Sequence, residues 1–282
     1  MNGAYVRLDD SDREEALDFL SNRADLNIIM LNNIQMFGMD PGDTPFHGDY
    51  FGLQDEQGLV AVGVLFNLGL LFFYAVKDEA IEGMADYVLD LGRVPSFING
   101  KASHVGKILE GLSGKIDYTF NQILTDQMAL RGLVQDEVDT ECARQSRMSD
   151  LATLVEMQVA LEEELFGGAS MDDVSLRELL SWQVRESAAS VAECEGLIVS
   201  KAEATVLKGT GAQVGGVFTR PAFRGRGFST ACVGDLCKRI LNEVDLVALS
   251  VIRDNPSARR LYQKIGFEKV DDWVIVTPRP RA

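Results

Sequence analysis

The chain has few of the residues that bind metals or form disulfides. It contains four cysteines, no two of them in a C-x-x-C pair, and only two histidines, His47 and His104. Structural zinc sites need clustered cysteines and histidines, and disulfide frameworks occur mainly in small secreted chains. The sequence therefore predicts no metal site and no disulfide framework, and we expect the cysteines to be reduced and mostly buried.

The chain also lacks a long uninterrupted apolar segment. A membrane-spanning helix needs about 18 or more consecutive apolar residues. The longest candidate, residues 59–76, is interrupted by Asn67 and Gly69. The first twelve residues carry three aspartates, where a secretory signal would have a basic and then an apolar segment. We therefore expect a cytoplasmic protein with no membrane partner.

Positive charge is scarce. Against 43 Asp and Glu residues there are 27 Lys and Arg residues, which gives a formal net charge of −16. Nonspecific nucleic-acid binding depends on a basic face, so this balance argues against a nucleic-acid partner. Between Arg220 and Lys269, however, ten Lys and Arg residues outnumber five Asp and Glu residues. A basic segment in an acidic chain indicates a local anionic ligand, although chance clustering on a solvated helix gives the same pattern.

The predicted elements divide the 282 residues into two similar halves. Periodicity and turn residues predict helix, helix, three strands, helix, strand and helix in each half. This repetition favours a duplicated fold over two unrelated α/β halves. A polar segment at residues 136–147 joins the halves, so we predict domains at residues 1–135 and 147–282. Ser149 is the predicted N-cap of the first helix in the second domain.

One segment carries most of the chemical information. Residues 213–230 read QVGGVFTRPAFRGRGFST, a predicted strand that leads into a glycine-containing turn and then a helix. Gly225 and Gly227 let backbone N–H groups approach a ligand, and successive N–H groups at the start of a helix bind anions. Arg224 and Arg226 add positive charge that suits phosphate. The residues alone therefore predict a phosphate or pyrophosphate site.

Two common phosphate-binding loops do not fit this segment. The P-loop requires G-K-[ST], which is absent. The dinucleotide signature G-x-G-x-x-G fails because Gly227 is followed by Phe228, Ser229 and Thr230. A different class of phosphate-bearing ligand is therefore indicated.

The loop resembles that of the GNAT family of acyl-CoA N-acyltransferases, which reads Arg or Gln, two residues, Gly, one residue, and Gly or Ala. Arg224, Gly227 and Ser229 occupy those places, and Ser229 departs from the last but is small. The V-x-T-x-P at residues 217–221 resembles the end of the family's splayed strand. Residues 255–267, NPSARRLYQKIGF, match the family's next motif. The two motifs stand in the family's order, separated by one helix and one strand.

The resemblance covers residues 147–277, whose C-terminal part is similar to the FR47-like subgroup. More loosely, the whole chain resembles bacterial predicted acetyltransferases with a degenerate GNAT-like N-terminal half. The resemblance implies a fold of the α/β class, more narrowly a GNAT-like α+β fold. It implies two tandem acyl-CoA N-acyltransferase-like domains, each with a central mixed, mostly antiparallel sheet. In the first half, Val76 is followed by Lys77, Asp78 and Glu79. Those carboxylates would repel a pyrophosphate, so we expect no CoA loop there.

The resemblance also implies acetyl-CoA as the cofactor and gives residues of the second domain their roles. The main chain of Val217, Phe218 and Thr219 would pair with the pantetheine arm and hold the thioester carbonyl. The diphosphate would be held by the loop and the start of the following helix: Arg224, Gly225, Arg226, Gly227, Phe228, Ser229 and Thr230. Asn255 and Ser257 would contact the cofactor, although Asn255 also fits as the N-cap of the next helix.

Two proton transfers need further groups. Tyr262 stands where the family often places a tyrosine near the thioester sulfur, and it would be the catalytic residue that protonates the departing thiolate. The alternative for Tyr262 is simple packing on the core. Some members carry a base carboxylate eleven positions before the first loop residue, but here that position is Gln213. Glu203 and residues 162–164 are candidate bases, each also interpretable as an exposed charge; a water chain or a neutral acceptor would serve as well.

The predicted reaction is direct transfer of an acyl group from CoA to an unidentified primary amine, and the acyl group that we expect is acetyl. The acidic remainder of the chain favours a cationic amine. Two alternatives stay open: a CoA-sensing or scaffold protein without turnover, and an acyltransferase that uses a longer acyl group, as a glycine N-acyltransferase would. We expect a monomer or a homodimer.

Overall fold

The computed structural model describes residues 4–132, 134–135, 137–168, 172–207 and 210–280. The chain forms two compact units. The first comprises residues up to Gln127, residues 250–254 and residues from Val270 onward, and the second comprises residues 128–249 and 255–269.

Helices and strands alternate along the described part of the chain. The helices are α1 (Arg13–Ser21), α2 (Ala24–Phe37), α3 (Met84–Asp90), α4 (Ala102–Leu112), α5 (Leu151–Phe166), α6 (Asp173–Arg185), α7 (Phe228–Ile240) and α8 (Pro256–Ile265). The strands are β1 (Val6–Arg7), β2 (Gly48–Asp55), β3 (Gly58–Phe66), β4 (Leu70–Ala75), β5 (Phe97–Lys101), β6 (Tyr118–Arg131), β7 (Ala143–Gln145), β8 (Ala189–Cys194), β9 (Leu197–Leu207), β10 (Gly211–Thr219), β11 (Leu246–Ile252) and β12 (Glu268–Pro280).

The first unit is built on an antiparallel meander. Strands β1 to β4 pair antiparallel in chain order, and β4 then pairs with β5 in parallel, with Leu70 opposite Phe97. Strand β3 is buried along almost its whole length, as expected for a central strand with neighbours on both edges. Apolar residues of the meander pack with α3 and α4 into one core that includes Phe51, Phe73 and Val105.

The last strand of the chain completes the first unit. Residues of β12 pair antiparallel with β5, with Val274 opposite Gly100 and Val276 opposite Ile98. Both valines are buried in the core of the first unit. The predicted domain limits, residues 1–135 and 147–282, stay predictions. The compact units divide the chain differently at its end, because the apolar side chains of β12 are buried beside β5.

The second unit repeats the same strand order. Strands β7 to β10 pair antiparallel in chain order, and β10 pairs in parallel with β11. Helices α5 and α6 pack together over a core that includes Leu154, Leu180 and Val191. Helix α7 contacts β8, β9 and β10 through a buried face that includes Val233 and Leu236. In both units, an antiparallel meander is followed by one parallel neighbour, so the predicted fold class with mixed, mostly antiparallel pairing is confirmed.

Several local predictions need correction. The helix predicted after the third strand of the first half is divided into a 3-10 turn, Asp78–Ile81, and α3, because Gly83 adopts φ 80° between them. The long strand β6 was not predicted. The predicted N-cap Ser149 is wrong, because Ser149 lies inside a 3-10 turn that continues directly into α5. An oxygen of Asp150 accepts the hydrogen bond from the Arg147 N–H at 2.8 Å, so a carboxylate caps this turn.

None of the described helices has the length and apolar character required to cross a bilayer. The same residues contain no group of His, Cys, Asp and Glu side chains that could hold a metal ion. All four cysteines are free of disulfides. Cys232 and Cys237 are buried in α7, whereas Cys142 is exposed and Cys194 is half-buried, so the expectation of mostly buried cysteines holds for two of them.

The burial of β12 in the first unit generates a stability prediction. Val276→Ala removes two methyl groups from a fully buried position and should lower the free energy of unfolding by about 2 kcal/mol. Val76→Ala, in the same unit but half-exposed, is the matched control and should change stability by less than about 0.5 kcal/mol. Urea denaturation of both variants measures this. Equal effects would mean that β12 does not contribute to the core of the first unit.

Candidate functional site

The site begins at the end of β10. Its parallel pairing with β11 covers Ala212 to Val214, opposite Val247 to Leu249. From Gly215 onward, the registered partners of β10 among the described residues all lie on β9. One edge of the main chain of residues 215–219 is therefore available for an extended ligand to pair with, as an added strand would.

A bulge lies within the same stretch of β10. The register with β9 shifts between Gly215 and Phe218, and Gly216 adopts φ 58°. Bulges redirect the backbone and are common next to active sites. The positive φ explains why a glycine stands at position 216, since only glycine takes this conformation without strain.

A tight turn joins β10 to α7. A 3-10 turn, Pro221–Phe223, is followed by Gly225 with φ 73° and Gly227 with φ 87°. A Cβ atom at Gly225 or Gly227 would meet no other atom within 4 Å. Both glycines are therefore required by their left-handed backbone rather than by crowding from the protein, and the space beside them is open.

The turn leaves a row of backbone N–H groups without protein acceptors. The first hydrogen bond at the start of α7 runs from the Ala231 N–H to the Gly227 carbonyl at 3.0 Å, and Gly227 provides no side-chain cap. For the six N–H groups from Gly225 to Thr230, no acceptor is found in the described part of the chain. Free donors of this kind, together with the positive end of a helix dipole, suit an anion, and this set of N–H groups is called the α7 cup below.

Two arginines lie beside the α7 cup. The Arg224 Nε donates to the Thr219 carbonyl at 3.0 Å, and its guanidinium pairs with Glu164 at 2.6 Å. The Arg226 guanidinium lies over the rings of Phe223 and Phe228, at 5.5 and 5.1 Å from their centroids. The Arg224–Glu164 pair is exposed, so it contributes at most about 1 kcal/mol and an entering anion can displace it.

A family model and several solved structures are similar to this chain. Residues 194–276 match the family model described as FR47-like protein. The fold is similar to a GCN5-related N-acetyltransferase from Sphaerobacter thermophilus, with a TM-score of 0.64 and 17% identity over 98% of this chain and 95% of that one. The chain has the GNAT fold.

The likeness extends over both halves. A tandem GNAT protein from the clavulanic acid biosynthesis pathway aligns over 100% of each chain, with a TM-score of 0.57 and 13% identity. A Drosophila protein also aligns over 100% of each chain, with a TM-score of 0.71 and 13% identity. No curated protein matches the chain in sequence. The tandem GNAT-like arrangement predicted from the sequence is therefore confirmed at the level of the fold, and the site residues stay predictions.

Within the GNAT fold, Asn255 takes the alternative role that the sequence left open. Its Oδ1 accepts a hydrogen bond from the Ala258 N–H at 3.0 Å, which caps α8. Asn255 and Ser257 are both exposed at the start of this helix, so their side chains are accessible. Capping by one oxygen leaves the amide NH₂ of Asn255 as a donor, and cofactor contact by either residue stays a prediction.

Tyr262 is almost fully buried on α8. Its ring packs edge-on against Phe267 with 5.9 Å between the ring centroids, and α8 packs against α7. Burial raises the pKa of the Tyr262 phenol, with a smaller contribution from Cys237. The phenol therefore stays neutral at physiological pH and keeps its O–H as a proton donor. Its catalytic role stays a prediction.

The candidate bases fall into two groups. Glu163 and Glu164 are exposed on α5, whereas Glu162 and Glu203 are buried. The interpretation as an exposed charge is therefore wrong for Glu162 and Glu203. The Glu203 carboxylate pairs at 2.6 Å with Lys201, a fully buried lysine that was not predicted from the sequence. The alternation of side chains along β9 was the available signal, because residues 201 and 203 lie on one face of a strand.

The first unit has different residues at the corresponding turn. After β4, Lys77 leads into the 3-10 turn Asp78–Ile81, whose first residues are Asp78 and Glu79. Lys77 itself pairs with Asp55 at 3.6 Å. The turn after β4 thus contains carboxylates, whereas the turn after β10 contains Arg224 and Gly225. This placement supports the prediction that the first half binds no CoA.

The geometry of the α7 cup predicts the effect of one substitution. Gly227→Val introduces a β-branched residue at φ 87°, which shifts the backbone and misdirects the donors at the start of α7. Loss of one or two charge-assisted hydrogen bonds should weaken CoA binding about tenfold or more, as measured by isothermal titration calorimetry.

Gly92 provides the matched control. It has φ 74° and equally open surroundings, and it follows α3 in the first unit, far from Gly227 in the sequence. Gly92→Val should cause similar backbone strain and a similar loss of thermal stability but leave the CoA affinity unchanged. Equal weakening by both variants would indicate a general loss of structure rather than loss of the α7 cup.

Proposed function

We propose that the second unit is an acyl-CoA-dependent N-acyltransferase in which a primary amine attacks the thioester directly. The acyl group that we expect it to transfer is acetyl. The observation that carries the proposal is the α7 cup, which adjoins a strand whose outer edge from Gly215 onward is available for pairing. An extended ligand with a diphosphate at one end and a hydrogen-bonding arm fits both features. Acyl-CoA has this chemistry.

Each part of the site has a task in this proposal. The N–H groups of Gly225 to Thr230 bind the diphosphate, and Arg224 and Arg226 neutralise its charge. The main chain of residues 217–219 pairs with the pantetheine arm. N–H groups of the same strand stabilise the oxyanion as the carbonyl becomes tetrahedral, and alignment of amine and thioester supplies much of the rate.

Tyr262 provides the proton for the leaving group. A phenol is protonated at physiological pH, so its O–H is available for donation to a thiolate. The protonated thiol is then released as free CoA.

A test of the function follows free thiol in mixtures of the protein, acetyl-CoA and a panel of primary amines. The proposal expects amine-dependent thiol release for at least one amine. Propionyl-, octanoyl- and benzoyl-CoA measure the donor preference, and faster turnover with a longer donor would replace acetyl in the proposal. CoA binding without thiol release across the panel would favour the alternative of a CoA-sensing or scaffold protein without turnover. That alternative is motivated by Gln213 at the usual base position.

The role of Tyr262 has its own test. Tyr262→Phe removes the hydroxyl and keeps the ring that packs on Phe267. We expect kcat to fall about 10²-fold while the dissociation constant for CoA is unchanged. Tyr87→Phe, a half-buried tyrosine of the first unit, is the matched control and should keep wild-type kcat. An unchanged kcat for Tyr262→Phe would assign Tyr262 to packing alone.

A further inference from the structure

A buried polar cluster lies where α5 covers β9 and β10. The Lys201 Nζ donates to Glu203 Oε1 at 2.6 Å and to Gln158 Oε1 at 2.7 Å. The Gln158 amide in turn donates to Glu162 Oε1 at 2.8 Å. The side chain of Lys201 is 0% exposed and that of Glu203 is 6% exposed. The four side chains are called the Glu203 cluster below.

The Glu203 cluster is unusual in its charge. It holds two carboxylates and one ammonium, all buried. Burial of charge is costly, and replacing a buried ion pair by apolar residues is often neutral or stabilising. An apolar core would have been the simpler way to fill this space. Buried titratable groups of this kind are characteristic of functional sites.

The position of Glu203 links the cluster to the bulge of β10. In the antiparallel register, Glu203 lies directly opposite Gly215. A Cβ atom at Gly216 would clash with Glu203 Oε2 and would lie 3.1 Å from the Lys201 Nζ. The carboxylate thus occupies the space that a side chain at position 216 would fill. It lies against the main chain immediately before residues 217–219.

We propose that Glu203 is the proton acceptor that makes the attacking amine neutral, and that Lys201 is the residue that positions it. This inference rests on the proposed function, in which residues 217–219 hold the thioester carbonyl. It replaces the missing carboxylate at Gln213 with one from the neighbouring strand. It also specifies the acceptor as a primary alkylamine that arrives as an ammonium ion.

The Glu203 carboxylate takes one proton from the ammonium ion, and the neutral amine attacks the carbonyl carbon. The C–N bond forms, the C–S bond breaks, and the thiolate leaves with the electron pair. Tyr262 protonates the thiolate, and the second proton lost by the nitrogen restores the phenol. Glu203 then releases its proton to solvent, so the products are the amide, CoA thiol and one proton.

The surroundings of Glu203 suit a base. Burial is the main influence and raises its pKa, Lys201 opposes this, and Glu162 adds to the rise. Of the elements packed against it, β9 contributes Lys201 and α5 contributes Glu162, while the register partners on β8 and β10 are the uncharged Ala189 and Gly215. A carboxyl whose pKa is raised is a stronger base than an exposed one. Activity should therefore fall as the pH drops through this pKa.

The test compares Glu203→Gln with the wild type on the best alkylamine of the panel. Glutamine keeps an oxygen for Lys201 but cannot accept a proton. We expect kcat/KM to fall about 10²-fold, the acidic limb of the pH profile to disappear and the affinity for CoA to stay unchanged. Glu178→Gln, an exposed carboxylate on α6 of the same unit, is the matched control and should match the wild type.

A nucleophile that needs no base separates chemistry from structure. Hydroxylamine is largely neutral at pH 7, so Glu203→Gln should acetylate it at close to the wild-type rate after subtraction of the uncatalysed reaction. If Glu203→Gln does not fold, Glu203→Asp provides a second variant. Its shorter side chain keeps the charge but moves the carboxylate away from the amine, so it should show the same selective loss with alkylamines.

Equal losses with both nucleophiles, or wild-type activity of Glu203→Gln with the alkylamine, would overturn the assignment. Failure of the proposed function is distinct, because then the wild-type protein itself would bind no CoA or release no thiol.

Discussion

Everything proposed for this protein depends on hydrogen-bond donors that the fold leaves unused. A helix always begins with N–H groups that have no partner inside the helix. Proteins usually satisfy them with a side-chain cap, as Asp172 does for α6. At α7 the cap position is Gly227, which has no side chain to offer, and Gly225 turns the preceding backbone the same way. Among the described residues these donors have no protein acceptor, so they are available to a ligand.

The two units share a strand order but differ in the residues that would contact a ligand. Both contain an antiparallel meander followed by a parallel neighbour, so the turn after the last meander strand occupies the same place in each. In the second unit that turn contains Arg224 and Gly227, and in the first it contains Asp78 and Glu79. The repeated fold provides the same location twice, and the two turns differ in the charges and glycines on which the proposed anion site depends.

The parts of the structure that local rules determine could be predicted from the sequence. The limits of α8 follow from Pro256 at its start and Gly266, with φ 116°, at its end. The turn before α7 was readable from its glycines and arginines. Strand β6 escaped prediction because its first residues, from Tyr118 onward, are largely exposed and lack a clear apolar period.

Contacts between distant residues could not be predicted in this way. Residues 273–276 pair with β5, which lies more than 160 residues earlier in the chain. The reach of Glu203 to Gly216 depends on the register of β9 and β10 and on a bulge within it. A single sequence specifies neither a register nor a bulge in advance, because many pairings satisfy the same alternation of side chains.

The central claim is that main-chain donors at the start of α7 hold a diphosphate. Calorimetric titration of the whole protein with CoA, and separately with pantetheine, tests it most directly, because pantetheine has the thiol arm but no diphosphate. The account predicts one CoA site per chain and much weaker binding of pantetheine. Equal affinity for the two ligands, or no uptake of CoA by the folded protein, would contradict it.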